Sequence, residues 1–400
     1  MSLPLRHNRG ALRMSDRGTL DVAILGAGIA GSCMAILMAR RGWKVALIDR
    51  RTFPRHKVCG EFLSPEAVDS LIALGLGDCL QALEPAVISR ARLILGNGAS
   101  IVAPLPGPAW GISRYRLDKA LHEEARLAGA EVVTETAVTA VGLANDGYEL
   151  RTRRGSEAAA ISSRTVIGAW GGNGRVPDFP DAVRRRPAPC PYMGIKIHVS
   201  GIEMDGDLEL YFFEGGYLGL SSAGQGIVNA AALFDQRAFR QSPSTVIGWL
   251  KEAEARHPSL ARRMEEVLPL EESQAAIAPV RLYDAPLAWN GIPLIGDACV
   301  TIPPLCGDGM SMAIRSAQLC SESADLFLRG EATREQWRRD YEGAIARHFR
   351  GPLRWGRLLQ RTAGHPAFSM LAATAASRLP GVVNRLVRAT RLGKMNASPW

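Results

Sequence analysis

Apolar and polar positions between residues 20 and 49 predict a strand, a helix and a second strand in succession. The run LDVAILG at 20–26 predicts a buried parallel strand, because strands covered on both faces are apolar at successive positions. Residues 29–41 follow a helical pattern that ends at Gly42, and KVALID at 44–49 predicts the next strand. This region is therefore predicted to be a βαβ unit.

The pattern changes in the middle of the chain and returns further on. Residues 190–235 are rich in aromatic and β-branched residues between glycine turns, which indicates an antiparallel sheet. The segment IPLIGDA at 292–298 predicts a return to the buried strands, and 309–328 predicts a helix. The basic segment that follows is predicted to be helical, with interruptions at Gly351-Pro352, Gly364-His365-Pro366 and Pro380-Gly381. The order of elements predicts an α/β fold with an inserted antiparallel-sheet domain and C-terminal helices.

A glycine motif, Gly26-Ala27-Gly28-Ile29-Ala30-Gly31, lies between the first strand and the first helix. Its first glycine permits a tight turn, its second lets the backbone approach a pyrophosphate, and its third lets helix and strand pack closely. The N–H groups of Ile29, Ala30 and their neighbours at the helix start suit phosphate binding. Asp49 ends the second strand, where it can accept hydrogen bonds from an adenosine ribose, and Arg50 follows it in the predicted site. The motif predicts a Rossmann-type dinucleotide-binding fold.

Three blocks in residues 20–330 resemble the p-hydroxybenzoate hydroxylase-like flavoproteins. This superfamily includes aromatic hydroxylases, flavin halogenases and geranylgeranyl reductases. The blocks are the glycine motif, the helix start Arg114-Tyr115-Arg116-Leu117-Asp118, and Gly296-Asp297 followed by Pro303-Pro304 and Gly307-Asp308-Gly309-Met310. The resemblance implies an FAD-binding α/β fold that is completed only near residue 295.

The same resemblance implies roles for individual residues. Asp297, preceded by Gly296, is expected to bind the ribityl chain of FAD, and Arg114 to contact FAD, with a surface salt bridge as the alternative for Arg114. Gly307, Gly309 and Met310 are expected to lie beside the isoalloxazine and the pyrophosphate. NAD(P)H or a reductase partner is expected to supply the electrons. Trp170 stands where many hydroxylases have an acidic residue that serves FAD and NADPH, so slow reduction by NADPH alone is predicted.

Residues 54–65, PRHKVCGEFLSP, resemble the loop that geranylgeranyl reductase-like flavoproteins place beside the flavin. The resemblance implies that Lys57 or Arg55 reaches the FAD phosphate. Cys59 is a candidate proton donor, although a free cysteine is most often a small apolar residue of the core. Glu61 and His56 are further candidates for proton transfer, and no sequence feature sets their pKa values.

Aromatic side chains of the predicted antiparallel sheet suit an apolar substrate pocket. They are Tyr192, Phe212, Phe213 and Tyr217, and the alternative for each is an ordinary place in the sheet core. His198 is expected to face solvent or the sheet rather than to act as a base. No metal site is predicted, because no group of ligand-type residues has a suitable spacing.

Basic residues are concentrated at the end of the sequence. The net charge is +9, and residues 343–400 hold nine Arg and one Lys with no acidic residue. The first five of these arginines, spaced 3, 4, 3 and 4 apart, share one helical face, and the last three resume it: Arg347, Arg350, Arg354, Arg357 and Arg361, then Arg385, Arg388 and Arg391. Leu358 and Leu359 are expected to pack inward. The face predicts docking to an anionic membrane surface or an acidic carrier protein, with a plain solvated surface as the alternative.

The charge distribution argues against nucleic acid as a partner, because the rest of the chain is not basic. Seven cysteines without a CxxC pair and the absence of a long apolar run predict a reduced, cytoplasmic protein, with peripheral membrane contact as an option. The predicted division of the chain is a flexible tail at 1–18, an FAD-binding domain at 19–85, 110–175 and 285–330, a substrate domain at 86–109 and 176–284, and a basic helical region at 331–400.

The expected function is that of an FAD-dependent oxidoreductase. The leading expectation is monooxygenation of an aromatic, polyketide or lipid-like substrate through a flavin C4a-hydroperoxide. The alternative is reduction of isoprenoid or other carbon–carbon double bonds, which the cysteine loop favours. Halogenation ranks lower, because the Trp-x-Trp-x-Ile-Pro motif of tryptophan-type halogenases is absent. In each case the substrate is expected to be small and hydrophobic, either free, tethered to a carrier protein or presented by a membrane.

Overall fold

The computed structural model describes residues 18–174, 191–282, 285–363 and 391–392. The predicted tail at 1–18, apart from Gly18, therefore lies outside the described residues. So do part of the predicted substrate domain and much of the basic region, including Arg385, Arg388 and the predicted interruptions at 364–366 and 380–381.

Most of the described chain forms helices and strands. The helices are α1 (Ile29–Arg40), α2 (Pro65–Ala73), α3 (Gly77–Gln81), α4 (Arg114–Leu127), α5 (Val246–Arg256), α6 (Pro258–Arg263), α7 (Gly309–Leu328) and α8 (Arg334–Ala363). The strands are β1 (Leu20–Leu25), β2 (Val45–Ile48), β3 (Phe62–Leu63), β4 (Ala86–Ile94), β5 (Ser100–Gly111), β6 (Glu131–Val133), β7 (Ala137–Ala144), β8 (Gly147–Arg154), β9 (Glu157–Gly168), β10 (Tyr192–Ser200), β11 (Asp207–Phe213), β12 (Gly216–Ser222), β13 (Val228–Asp235), β14 (Leu268–Ile277), β15 (Trp289–Asn290) and β16 (Ile292–Pro293). This is the predicted mixed α/β class.

The first sheet carries the dinucleotide motif. Its strand order is β6-β2-β1-β9-β8-β7, with parallel pairing from β6 to β9 and antiparallel pairing through β8 and β7. Helix α1 packs against β1, β2, α4 and α7, and its residues from Ile29 to Ala39 are all buried. Because α1 is enclosed on every side, it is apolar all round rather than amphipathic.

The predicted strand at 292–298 is shorter in the structure. Only Ile292–Pro293 is a strand, Leu294 makes a single parallel bridge to Gly168, and 296–298 form a 3₁₀ turn. The cause is Gly296, whose φ of +60° is left-handed and bends the chain away from the sheet. The bend places Asp297 at the carboxyl end of the sheet, where ligands of parallel α/β folds bind.

The second sheet has eight strands in the order β14-β10-β13-β12-β11-β4-β5-β3. One face packs on α5 and α6 around Phe234 and Trp249, which are almost fully buried. β3 and the last residues of β5 join this sheet from segments that the sequence assigned to the FAD-binding domain. The predicted domain boundaries remain predictions.

Helix α8 continues through Gly351 and Pro352, so the predicted interruption there is wrong. An apolar stripe that includes Trp337, Tyr341 and Phe349 is buried along the helix, and this packing outweighs the low helix propensity of glycine and proline. The prediction that Leu358 packs inward is also wrong, because 49% of it is exposed. The side chains of Leu359 and Arg361 lie outside the described residues. None of the described helices has the length and apolar character that crossing a bilayer requires.

Candidate active site

The glycine motif forms a close turn between β1 and α1. A Cβ at Gly26 would overlap the carbonyl oxygen of Ala169, and one at Gly31 would overlap the carbonyl oxygen of Gly26. At Gly28, the nearest atom to an added Cβ is Lys57 Nζ at 3.4 Å, which is an ordinary contact with the end of a flexible side chain. Gly28 also gives α1 no side-chain cap, which leaves the first N–H groups of the helix able to bind a phosphate.

Asp49 holds this turn in place. Its Oδ2 accepts a hydrogen bond from the Ala27 N–H at 2.8 Å, and its Oδ1 accepts one from the Arg51 N–H at 2.8 Å. Its side chain is half-buried at the carboxyl end of β2, and Arg50 beside it is exposed. Asp49 therefore lies at the phosphate turn, and its contact with the ribose remains a prediction, as does any contact of Arg50.

Two cations meet a buried carboxylate next to the glycine turn. Asp118 accepts hydrogen bonds from Arg114 Nε at 3.0 Å and pairs with Lys57 Nζ at 3.0 Å. Burial alone would raise the pKa of Asp118, but the two cations hold the pKa below its usual value. Burial likewise opposes the charge on Arg114, but Asp118 and Cys59 raise its pKa above the ordinary value. Arg114 therefore forms a buried salt bridge, not the surface one given as the alternative, and its contact with FAD remains a prediction.

Asp297 lies at the turn after β16. Its side chain is accessible to solvent, yet protein atoms crowd the crevice around it, and this desolvation raises its pKa to about 6 against the charges of Arg114 and Lys57. Gly296 is required next to it, since an added Cβ would come within 2.8 Å of the Cβ of Ala30 in α1. The buried hydroxyl of Thr301 has no hydrogen-bond partner among the described residues. The crevice therefore offers polar groups to a ligand.

A second helix start lies near this crevice. Gly307 has a φ of +69°, and an added Cβ would lie 3.2 Å from the ring of Phe62. Gly309 and Met310 begin α7, which lacks a side-chain cap at Asp308. Burial raises the pKa of Asp308 to about 7 although Arg391, 3.3 Å away, favours the charged form.

These features fit an FAD. The glycine turn and the uncapped start of α1 suit the pyrophosphate, Lys57 adds a positive charge, and Asp297 with the start of α7 suits the flavin half. The individual roles of these residues remain predictions. Trp170 is half-buried and packs on the end of β9, where a Cβ at Gly168 would lie 2.5 Å from its ring.

A cluster of ionisable side chains centres on Glu61, which is fully buried. Its Oε2 accepts a hydrogen bond from His198 Nε2 at 2.6 Å, and its Oε1 lies 3.3 Å from Lys196 Nζ. The N–H of Arg114 donates to Oε1 at 2.9 Å. Glu61 has a φ of +54°, an uncommon conformation for a non-glycine residue that several partners hold in place here.

The cluster extends from Glu61 to a less buried side chain. Lys196 Nζ lies 3.0 Å from His56 Nδ1, and the ring of His56 stacks on Tyr115 with centroids 4.9 Å apart. Burial and then the charge of Lys196 lower the pKa of His56 to about 4, so this imidazole is neutral near pH 7. Burial would raise the pKa of Glu61, but the hydrogen bond from His198 and the charge of Lys196 lower it. These contacts therefore connect the ionised carboxylate of Glu61 to the half-buried, neutral imidazole of His56.

Cys59 lies at the edge of this cluster. Its Sγ accepts a hydrogen bond from the Glu61 N–H at 3.4 Å, and its carbonyl oxygen accepts one from Asn229 Nδ2 at 3.0 Å. Cys59 is half-buried and packs against the core that contains the first sheet, so both of its expected roles stay open. The loop from the first sheet is thereby fixed to β13 of the second sheet.

The structure divides the predicted aromatic pocket between two faces of the second sheet. Phe212, Tyr217 and Tyr192 belong to one apolar cluster, together with Leu305 of the loop before α7. Phe213 packs instead with Phe234 in the core under α5 and α6, which is the alternative of an ordinary place in the sheet core. The reason is the alternation of side chains along a strand, which sends neighbouring residues of β11 to opposite faces.

His198 and Lys196 belong to the cluster around Glu61, and the sequence does not single them out as site residues. His198 was expected to face solvent or the sheet without a chemical role, yet it is buried against Glu61. Both residues alternate with Ile195 and Ile197 on β10, and the isoleucines belong to the opposite core. Two ionisable residues at alternate positions of an apolar strand are the sequence signal of a polar patch on one face.

Comparisons with known proteins support a flavoprotein. The family model described as FAD binding domain matches residues 19–342. The chain is 36% identical over 133 residues to a menaquinone reductase of Mycobacterium tuberculosis, a match that covers 32% of each protein. It is 27% identical over 339 residues to digeranylgeranylglycerophospholipid reductase 2 of Methanopyrus kandleri, covering 80% of this chain and 81% of that one.

A solved structure shares the fold. The myxobacterial chondrochloren halogenase CndH, an FAD-dependent halogenase, has a TM-score of 0.76 and 19% identity, with 94% of this chain and 91% of that chain covered. The likeness shows the fold alone. With the family match, it confirms the predicted FAD-binding α/β fold, the predicted resemblance to this flavoprotein superfamily and the predicted cofactor, FAD.

Proposed function

This chain belongs to the FAD binding domain family, and we propose that it is an FAD-dependent oxidoreductase that reduces carbon–carbon double bonds of an isoprenoid or similarly apolar lipid. The observation that carries the proposal is the place of Cys59, a half-buried thiol at the edge of the buried cluster around Glu61. Two relatives are reductases by name, of menaquinone and of a digeranylgeranyl phospholipid, which supports this reaction and this class of substrate.

Reduction of a double bond needs a hydride at one carbon and a proton at the other. FAD, when bound and reduced, supplies the hydride. The proton comes from this chain, and we assign its delivery to the Cys59 thiol, which is left as a thiolate. The side chain of Arg114 interacts with Cys59 through its charge and a hydrogen bond, so a cation lies beside the sulfur.

The cluster behind Cys59 restores its proton. Glu61 and His198 share a hydrogen bond of 2.6 Å, and Lys196 joins Glu61 to His56. His56 is the least enclosed of these four residues, so we place the entry of a proton from water at its ring. We therefore assign the return of the proton to Lys196, which receives it from His56 and whose charge interacts with Cys59.

Aromatic side chains lie on the same face of the second sheet as this cluster. His198 and Lys196 alternate along β10 with residues of the opposite core, and Tyr192 precedes them on the same side. Tyr217 and Phe212 pair across β12 and β11 in the apolar cluster of that side. We propose that this apolar cluster forms the side of the site that receives a hydrophobic substrate.

The proposal is tested with photoreduced enzyme in the absence of oxygen. Menaquinone, a digeranylgeranyl phospholipid and squalene are offered as probes, and the return of oxidised flavin absorbance is followed. We expect at least one probe to oxidise the flavin and to gain two hydrogens by mass. Cys59→Ser should slow this step by about 10²-fold or more, the range of general acid catalysis, while FAD occupancy stays complete. No reoxidation by any probe, with rapid reoxidation by oxygen, would contradict the proposal.

Monooxygenation, the leading expectation from the sequence, is the second candidate. The observation that favours it is the lowered pKa of Glu61, which keeps an ionised carboxylate next to His198. Such a pair also suits removal of a proton from an aromatic hydroxyl, which activates a phenol for oxygen insertion. An oxygen-dependent product heavier by one oxygen atom, with no anaerobic product, would select this reaction.

A further inference from the structure

The outer face of α8 joins arginines to exposed apolar side chains. Arg347, Arg350 and Arg354 are exposed. Trp355 is 40% exposed and Leu358 49% exposed, and both lie on the same side of the helix as the arginines. These five residues are named here the Arg/Trp face. Since the acidic residues of the sequence end at Glu342, the face has no acidic residue within its own segment.

The Arg/Trp face is fixed in place by the opposite side of α8. Ile345, Phe349 and Leu353 are 1–2% exposed, and they belong to the core that contains the first sheet. The helix therefore cannot turn to bury Trp355 without removing these side chains from the core. Among the described residues, no ion pair involves Arg347, Arg350 or Arg354, so their charges are available to an outside partner.

The side of α8 opposite to the Arg/Trp face packs on the loop before α7. A Cβ added at Gly356 would come within 2.7 Å of Cys306 Sγ and 3.5 Å of Pro303. Leu305 of the same loop belongs to the apolar cluster of the second sheet. A partner bound at the Arg/Trp face is therefore separated from that cluster by the thickness of one helix.

We propose that the Arg/Trp face is a docking surface for an anionic phospholipid bilayer. Arginines attract the charged headgroups, and tryptophan and leucine enter the boundary between headgroups and acyl chains. An acidic carrier protein would satisfy the arginines but would gain less from a tryptophan and a leucine exposed beside them. The inference goes beyond the proposed reaction, because binding to a lipid surface needs no turnover.

Vesicle sedimentation tests the proposal with the FAD-loaded protein. The vesicles are pure phosphatidylcholine, or phosphatidylcholine with one quarter phosphatidylglycerol, at low and at physiological salt. We expect binding only to the anionic vesicles, and weaker binding at higher salt. The triple variant Arg347→Glu, Arg350→Glu, Arg354→Glu should lower the partition coefficient between vesicles and water about 100-fold or more. Each basic residue near such a surface contributes about 1 kcal/mol, and a tenfold change in binding corresponds to about 1.4 kcal/mol.

Two further variants separate a bilayer from other partners. Trp355→Ser with Leu358→Ser keeps the charges and should still lower vesicle binding about tenfold or more, because the apolar anchor is lost. The matched control Arg151→Glu, Arg153→Glu, Arg154→Glu reverses three exposed arginines of β8 and should bind as the original protein does.

Poly-L-glutamate provides the remaining comparison. If it binds the protein as well as anionic vesicles do, and the serine variant binds both normally, the partner is an acidic polypeptide and the proposal is wrong. Equal binding to neutral and anionic vesicles, or equal loss in the β8 control, would also overturn it.

Discussion

Replacing Glu61 by glutamine removes one charge from the centre of the buried cluster and leaves its shape almost unchanged. The amide oxygen can still accept the N–H of Arg114, but the amide cannot neutralise Lys196. Lys196 is 0% exposed, so its ammonium would remain in the protein interior without a counter-charge. Glu61→Gln is therefore expected to destabilise the protein although no cavity is formed.

The size of the effect follows from the burial of both partners. Removing one partner of a buried ion pair costs about 3–5 kcal/mol, because the other charge is left unpaired. Lys196→Met alone should also destabilise, since it leaves Glu61 with fewer partners. The double variant should lose less than the sum of the two single changes, with a coupling of about 2 kcal/mol or more.

The loss should be largest near neutral pH. The folded-state pKa of Glu61 is lowered from 4.5, so its contribution is present above that pH and disappears as the pH falls through the folded value. The pKa of Lys196 is lowered from 10.5 by burial, which Glu61 opposes, so in the glutamine variant it falls further. Raising the pH towards 10.5 neutralises the lysine, and the difference between variant and original protein shrinks again.

Urea unfolding at pH 4, 7 and 10 measures these differences. Trp249, which is 1% exposed, lies in the core of the sheet that carries Lys196, so its fluorescence reports on the relevant part. Equal midpoints for Glu61→Gln and the original protein at pH 7 would refute the reasoning. So would a loss that is the same at all three pH values and unaffected by Lys196→Met.

Three other predictions concern the cofactor site. Gly28→Val should fold, since the nearest atom to its Cβ is 3.4 Å away, but it should lose FAD because the side chain would occupy the space of the phosphate. The control variant Gly351→Ala should keep the yellow colour of bound FAD. Full FAD occupancy in the valine variant would contradict the site. NADPH alone should reduce the flavin slowly without oxygen, because Trp170 replaces the acidic residue; rapid saturable bleaching by micromolar NADPH would be inconsistent with this. The pKa of Asp297 is raised from 3.8 to about 6, so the folded apoprotein binds more protons than the unfolded chain between these pH values and loses stability as the pH rises through them. The Asp297→Asn apoprotein should therefore melt at a higher temperature than the original apoprotein at pH 8 and at the same temperature near pH 3. Equal melting temperatures at pH 8 would count against this reasoning.

Features that depend on neighbouring residues were predictable from the sequence. The first strand, the glycine motif, α1 and the second strand were predicted to within a residue or two, because the strand runs, the turn and the helix end are all set locally. Helix α7 was predicted with the bounds that the structure has. The family match then confirmed the cofactor that this local pattern indicated.

Features that depend on distant contacts were not predictable in the same way. Glu61 and His198 are 137 residues apart, and only the pairing of β10 with β13 and β14 turns His198 towards Glu61. Phe212 and Phe213 are different, because strand alternation alone shows that adjacent residues cannot both line one pocket. Helix α8 passes Pro352 because burial of its inner face outweighs local propensity, and local patterns do not contain that contact.

Mass analysis of the product from a single anaerobic turnover in D₂O tests the proposed function most directly. Photoreduced enzyme is mixed with the lipid probe that reoxidises the flavin, and the product is compared with the starting lipid. Reduction of one double bond predicts a product that carries two added hydrogens, both as deuterium, since the thiol of Cys59 and the reduced cofactor exchange with solvent. In the Cys59→Ser variant this product should form more slowly. Unchanged lipid without oxygen, together with a product that contains one oxygen atom when ¹⁸O₂ is admitted, would contradict the reduction and establish oxygen insertion.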